Sequence, residues 1–319
     1  MAHGIQSDPQ VYGGQTIDLV RRIVRVMDQV HGMDISGYAP HFLEKSIASR
    51  IVACHLASAE AYEELLGVDP VEAVDFHASL RISYTEFFRN SLIFGMLEER
   101  ILPHLIAAQK QGGRREIRVW SAGCATGQET WSIVILLDEL TRHWDPPPAY
   151  RVFATDLCGE HLAFARAGEY SAKALRNVRL RHLEECFFKN GDFHVISPHL
   201  RPQVDFGLHD LLDKNAACPA ASIFGDFDLI VCCNLLFYYR PEVQHQILDK
   251  FTRALHPGGY LVTDDSGRAP LSSHHALYPV LPNASIFQKI EPHPQTGRQD
   301  RYHFNDFQND VTQAPTGTP

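Results

Sequence analysis

The chain has 319 residues, 45% hydrophobic and 21% charged, enough to bury a sizeable core in one large domain with a smaller one beside it. A formal net charge of −9 excludes nucleic acid as the main partner, because phosphate binding is driven by Lys and Arg that release counterions. No apolar run approaches the roughly 20 residues that cross a bilayer, and the start MAHGIQSDPQ lacks a charged-then-apolar leader, so the chain is expected in the cytoplasm without membrane insertion.

Residues 1–14 read as an N-terminal tail, and 15–110 as a small all-helical domain. Ile17, Val20, Ile23, Val24, Met27 and Val30 form one apolar stripe at three- and four-residue spacing. Leu43, Ile47 and Ile51 form a second, Val71, Val74, His77 and Leu80 a third, and Leu97, Ile101, Leu102 and Leu105 a fourth. The polar, glycine-bearing stretch from Gln109 to Glu116 then marks a boundary, and residues 111–304 read as a second domain.

Within it, β-rich runs at Ile117 to Ser121, Tyr150 to Thr155, Phe227 to Cys232 and Tyr260 to Thr263 alternate with helical ones. That alternation predicts an α/β fold with a parallel sheet covered by helices on both faces. An insertion at about 170–206 carries Phe187, Phe193, Val195, Ile196, Val204 and Phe206 around the turn Asn190-Gly191-Asp192, and predicts a few short strands that form a docking module. Ser285 to Ile290 and Asp300 to Phe304 read as a terminal strand pair, and 305–319 as a disordered tail.

Seven cysteines with no Cys-x-x-Cys pair are expected to be reduced and mostly buried. Among 18 histidines only His274 and His275 adjoin, and sequence neighbours point to different sides of a chain, so no metal site is expected.

Ligands of an open parallel sheet bind at the carboxyl ends of its strands, where the strand order reverses. Arg118 to Ser132 joins an apolar strand to a long helix through a loop holding Gly123 and Gly127, with Glu129 just beyond. It is either an ordinary strand-to-helix turn or one wall of a nucleotide-type pocket, where glycines let backbone approach a ligand. Asp156 ends its strand as an acceptor for ribose hydroxyls or as a helix cap. Asn234 and the run Phe237-Tyr238-Tyr239 follow the Phe227–Cys232 strand, either over the reacting end of a ligand or as core aromatics. Asp210 to Asp213 either holds an adenine edge or begins a helix. In Tyr84 to Asn90, Phe87 and Phe88 are anchors, and Thr85 and Arg89 are either surface residues or groups turned to the ligand, the guanidinium gripping a carboxylate.

In order along the chain, Thr85 to Arg89, Trp120 to Ser132, Ala154 to Asp156, Ala167 to Ser171, Cys232 to Tyr239 and Leu255 to Tyr260 resemble the CheR family, which uses S-adenosylmethionine to methylate glutamate side chains of bacterial chemoreceptors. The resemblance covers about 15–304 and implies a Rossmann-like methyltransferase fold, a helical N-terminal domain, and an inserted β-subdomain able to hold a receptor tail peptide. It implies cofactor contacts at Ser83, Thr85, Arg89, Gly123, Glu129, Asp156, Asp210, Leu211, Asn234 and Leu235, with Tyr238 and Arg89 in the catalytic role. Partners would be a chemoreceptor cytoplasmic domain or another protein acceptor. Four positions depart from the family: Cys233 stands where Arg is usual, Ser83 where Asn is usual, Thr263 to Ser266 where a Gly-His-Ser-Glu run is usual, and Ile51 to His55 continue an otherwise basic helix. These departures bear on acceptor recognition and keep two alternatives open, a different protein or small-molecule acceptor and a non-catalytic S-adenosylmethionine sensor. A nicotinamide enzyme is disfavoured because the Gly-x-Gly-x-x-Gly spacing is absent.

A carboxylate acceptor, with an unperturbed pKa of about 4.3, is ionised at neutral pH and needs no general base. Catalysis would then rest on aligning oxygen, methyl carbon and sulfonium, with Phe87, Phe88 and Phe237 as dry walls.

Overall fold

A computed structural model describes residues 9–81, 84–111, 115–222, 225–272, 274–281 and 284–290, with side chains from residue 18 onward except residue 272. Four helices come first: α1 (Pro9–His31), α2 (Pro40–Ala53), α3 (Ala59–Val68) and α4 (Pro70–Ser79). Helix α1 begins inside the segment read as a tail; residues 1–8 and the side chain of Ile17 lie outside the described residues. The Ser58 hydroxyl accepts the Ala61 N–H at the start of α3, and Asp69 accepts those of Val71 and Glu72 at the start of α4, ahead of a proline whose missing N–H costs nothing there. The four helices close on Val20, Ile23, Met27, Leu43, Ile47, Tyr62, Leu66 and Phe76.

The third stripe is a correction. Val71 and Val74 are 68% and 54% exposed, whereas Ala73, Phe76 and Leu80 are buried. Helix α4 is rotated because Glu72, 6% exposed, faces inward to Arg50, which grips both its oxygens, and to the Tyr62 hydroxyl at 2.7 Å. A buried ion pair and the Phe76 ring against Tyr62 outweigh two valines on the hydropathy pattern. Val30 is likewise exposed, at the far end of α1.

Helix α5 (Ser91–Met96) runs through a π-helical turn, Leu97–Ile101, into α6 (Leu102–Lys110). Pro103 sits in the first turn of α6 with no N–H to continue the regular ladder, which accounts for the widened turn before it. Beyond the boundary come β1 (Ile117–Ala122), α7 (Gln128–Thr141), β2 (Tyr150–Asp156), α8 (Gly159–Ala167), β3 (Glu169–Ser171), α9 (Leu180–Cys186), β4 (Phe187–Asn190), β5 (Phe193–Ile196) and β6 (Val204–Leu208). The chain continues through β7 (Phe227–Cys232), α10 (Pro241–Ala254), β8 (Leu255–Thr263), α11 (Asp265–Ser272), β9 (Leu277–Pro279) and β10 (Ile286–Lys289).

Seven strands form one sheet in the order β6-β2-β1-β7-β8-β10-β9, with β10 antiparallel to both its neighbours and the first five strands parallel. This is the Rossmann-like α/β sheet. Strand order reverses between β1 and β7, so the crevice that can take a ligand opens at their carboxyl ends. Helix α7 is apolar around most of its circumference, Trp131 and Ile133 to Leu137 all being buried, as a helix clamped between sheet and neighbours requires.

The insertion contributes a separate sheet, β3-β5-β4, with the hairpin turn at Gly191. Val204 and Phe206 do not belong to it: β6 pairs in parallel with β2 and forms the edge of the main sheet. Strand β10 pairs with β8 and β9, whereas residues 300–304 and the tail 305–319 lie outside the described residues. Among the described residues all seven cysteines are free, no His/Cys/Asp/Glu group suits a metal, and no helix is long and apolar enough to cross a membrane.

The rotated α4 separates two substitutions that look alike in sequence. Phe76→Ala is expected to lose about 3–5 kcal/mol in urea unfolding of the full chain, and Val74→Ser less than about 0.5. Equal effects would contradict the packing of α4.

Candidate active site

The first wall is the turn out of β1. The Gly123 and Cys124 N–H groups both donate to the Thr155 carbonyl, at 2.8 and 2.9 Å, drawing the turn against the end of β2. Gly123 (φ 74°) and Gly127 (φ 92°) take left-handed conformations, and a Cβ on Gly127 would stand 2.7 Å from that of Ala165. Ala125 is left-handed too, at φ 45°, and its N–H donates to Asp156 Oδ2 at 2.8 Å. Asp156 Oδ1 accepts the Cys158 N–H at 2.9 Å. Each carboxylate oxygen keeps a lone pair beyond these bonds, so Asp156 fixes two loops and can still accept hydroxyls.

Glu129, in the first turn of α7, accepts the Ser121 hydroxyl at 3.1 Å, and Ser121 in turn accepts the Thr130 hydroxyl at 3.0 Å. Burial pushes the Glu129 carboxyl up to about 7, against the pull of hydrogen bonds from Ser121 and Cys233 and of the Arg89 charge; the Asp264 carboxylate pushes the same way as burial.

Residues 84–90 form the second wall. Phe87 is fully buried, edge-on to Tyr170 at 4.9 Å and to Phe187 at 5.7 Å. Phe88, at φ 49°, donates its N–H to the Ser132 hydroxyl at 3.1 Å and packs on Phe94 and His182. Arg89 donates to the Tyr84 carbonyl at 3.1 Å with its guanidinium 4.9 Å from the Tyr84 ring centre. The insertion clamps this loop from outside, where Arg176 pairs with Glu86 and Asn177 donates to the Phe87 carbonyl at 3.2 Å; Arg179 reaches Glu98 in the π-helical turn and His182 reaches Glu139 in α7.

The third wall follows β7. Asn234 is left-handed at φ 59°, and its N–H donates to Asp264 Oδ2 at 2.6 Å. The aromatic run beyond it docks the helical unit. The Tyr238 carbonyl accepts the Ala39 N–H at 2.8 Å, Tyr239 stacks on Tyr38 at 5.2 Å, and the Arg240 N–H donates to the Gly37 carbonyl at 2.9 Å. The Tyr238 ring lies 4.7 Å from Phe42 and 4.0 Å from Phe237. Burial pushes its phenol up, opposed by the Arg89 charge, so the hydroxyl keeps its proton at neutral pH.

Of the residues singled out in the sequence, Thr85, Arg89, Gly123, Glu129, Asp156, Asn234 and Leu235 line one pocket between these walls. Asp210 and Leu211 do not line it; they follow β6, where the neighbouring His209 N–H donates to the Asp156 carbonyl at 3.1 Å. Tyr238 is also outside the lining, beside Arg89 and Asp264, whose charges act on its hydroxyl. Ser83 lies outside the described residues. None of Phe87, Phe88 and Phe237 lines the pocket, Phe87 being spent on the core, and the apolar lining comes instead from Ile93, Phe94, Val231 and Leu235. Glu86 and Cys233 also line the pocket and were not identified as site residues in the sequence; Cys233 carried a signal, its departure from the family pattern.

The donor set fits an amino-acid-bearing nucleoside: Glu129 for an ammonium, Arg89 for a carboxylate, Asp156 for ribose hydroxyls. Residues 83–280 match the family model described as CheR methyltransferase, SAM binding domain. A chemotaxis protein methyltransferase of Listeria innocua serovar 6a is 31% identical over 239 residues, covering 74% of this chain and 85% of that protein. Chemotaxis protein methyltransferase 1 of Pseudomonas aeruginosa is 37% identical over 181 residues, 56% of this chain and 63% of that protein. An uncharacterized 104.1 kDa protein of Rhodobacter capsulatus is 28% identical over 308 residues, which cover 91% of this chain and 31% of that longer one.

A protonated Glu129 cannot pair with an ammonium. S-adenosylmethionine affinity by calorimetry should therefore be full above about pH 7 and fall as pH drops through it, approaching tenfold per pH unit. Glu129→Gln should bind weakly and lose this dependence. A flat wild-type profile would remove Glu129 from the ligand.

Proposed function

The chain belongs to the CheR methyltransferase family and uses S-adenosylmethionine as methyl donor, and from that membership we propose that it esterifies glutamate side chains in the cytoplasmic domains of chemoreceptors. The observation that carries this reading is the convergence of Thr85, Arg89, Glu129, Asp156 and Asn234 on one pocket at the carboxyl ends of β1, β2 and β7. The chemotaxis names of the relatives support the acceptor class.

Under this reading Glu129 would hold the amino group of the donor, Arg89 its carboxylate and Asp156 its ribose, and Tyr238, outside the lining, would act on the acceptor. When bound, the donor supplies an electrophilic methyl on a positively charged sulfur. The acceptor carboxylate arrives ionised, so no residue has to remove a proton. Tyr238 keeps its own proton and directs its hydroxyl at the acceptor oxygen. Ile93, Phe94, Val231 and Leu235 exclude water, and because donor and acceptor charges cancel as the bond forms, a dry site favours the transition state. The enzyme works chiefly by alignment.

Receptor contact is assigned to two places. The mouth of the pocket takes the glutamate. The β3-β5-β4 sheet, with β4 at its edge and Phe188 and Phe193 about half exposed, takes an extended receptor tail as an added strand. The reaction belongs in the cytoplasm, where the glutamates of the receptor reside.

Incubation with labelled S-adenosylmethionine and receptor-bearing membranes should give base-labile methyl esters on glutamate. Tyr238→Phe is expected to lower turnover by about 10- to 100-fold with cofactor affinity kept, as loss of one transition-state hydrogen bond would. Tight cofactor binding without transfer to any receptor fragment would instead make the protein a sensor, and a base-stable product would change the acceptor.

A further inference from the structure

Two residues hold the third wall of the pocket, and only one of them lines it. Asn234 lines the pocket in a left-handed conformation that residues other than glycine seldom adopt, at φ 59°. Such a backbone turns its N–H away from any regular ladder, and a half-buried N–H must be satisfied. Its acceptor is Asp264 Oδ2 at 2.6 Å, from a residue 30 positions on, between β8 and α11. The other oxygen of the same carboxylate accepts the Ser266 N–H at 2.9 Å and the Ser266 hydroxyl, capping the first turn of α11. One carboxylate thus joins the loop after β7 to the start of α11.

We propose that Asp264 is a positioning residue of the methyl-transfer site, holding Asn234 and its neighbours Cys233 and Leu235 against the cofactor and setting the charge that the amino-acid end of the cofactor meets. The proposal rests on the cofactor reading given above. Asp264 lies in the Thr263 to Ser266 stretch and Cys233 in the Cys-Cys-Asn stretch, two of the positions where this chain departs from its family, and the structure places them side by side. At Cys233 the wall offers a neutral thiol hydrogen-bonded to Glu129, and the nearby carboxylate of Asp264 adds a negative charge.

Among the described residues, the charged and titratable groups that act on Glu129 or line its pocket are Tyr84, Glu86 and Arg89 from the loop before α5, Cys124 after β1, Asp156 at the end of β2, Cys232 and Cys233 at and after the end of β7, and Asp264 before α11. The three thiols are pushed up by burial and stay neutral. Arg89 favours the Glu129 carboxylate and Asp264 opposes it. Removing the Asp264 charge therefore makes Glu129 easier to ionise, and the pH at which the cofactor is lost moves down.

Calorimetric titration of the full chain with S-adenosylmethionine between pH 5.5 and 8.5 tests this in wild type, Asp264→Ala, Asp264→Asn and Ser266→Ala. At pH 8, Asp264→Ala should bind roughly tenfold more weakly, the loss expected of one charge-assisted hydrogen bond. Ser266→Ala, which weakens only the helix cap, should bind within about twofold of wild type. Asp264→Asn should shift the midpoint of the pH profile down. Equal affinities for Asp264→Ala and Ser266→Ala, or an unmoved midpoint in Asp264→Asn, overturn the proposal. Absence of cofactor binding by the wild type would instead overturn the reading on which it rests.

Discussion

Chains leaving parallel strands at a ligand-binding edge must turn sharply, and the turns expose backbone N–H groups that no strand neighbour can take. In this protein carboxylates take them. Asp156 accepts from Ala125 and Cys158, and Asp264 accepts from Asn234 and Ser266, in each case linking two loops through one side chain. Two of the donors, Ala125 and Asn234, stand in the left-handed region, where an unsatisfied N–H would add to the conformational strain. The pocket is therefore built on anionic pins, and its chemistry inherits their charge. A site so framed suits a cationic ligand, and Glu129, a lining acid that engages no backbone N–H, is pushed up to about 7 by burial.

The helical unit and the insertion complete the site from opposite sides. Tyr38 stacked on Tyr239, with the backbone bonds at Gly37 and Ala39, seats α1 and α2 on the loop after β7. On the other side Arg176 and Asn177 grip the loop that carries Thr85 and Arg89, while Arg179, Arg181 and His182 bind Glu98 and Glu139. Individually the solvent-reaching arginine pairs among these contribute little. Arg176 and Asn177 hold the 84–90 loop, whose anchors Phe87 and Phe88 reach inward, and the other pairs tie the insertion to the π-helical turn and α7.

What could be read from the sequence followed from how each group announces itself. Strands β1, β2 and β7 are short apolar runs buried on both faces, and the glycines after β1 mark the turn, so this half of the site was legible residue by residue. Helix α4 was misread because Glu72 looks like a solvent-facing residue until Arg50 and Tyr62, from two other helices, are brought to it. Strand β6 was assigned to the insertion because pairing partners leave no trace in local pattern. Asp264 shares that difficulty: its meaning lies in Asn234, 30 residues away. Polar contacts between distant segments have no period, and periodicity is most of what a single sequence offers.

The inward turn of Arg50 reaches beyond the packing of α2. The guanidinium is committed to Glu72 and stands 3.5 Å from Asp75, so α2 offers solvent little positive charge beyond the exposed Lys45. On a chain of net charge −9, long-range attraction toward an acidic partner is then weak at this helix. Little at this helix would offset the repulsion between a chain of net charge −9 and an acidic partner, so association through it would be slowed at low ionic strength, and selectivity would reside in how long a complex lasts rather than in how fast it forms.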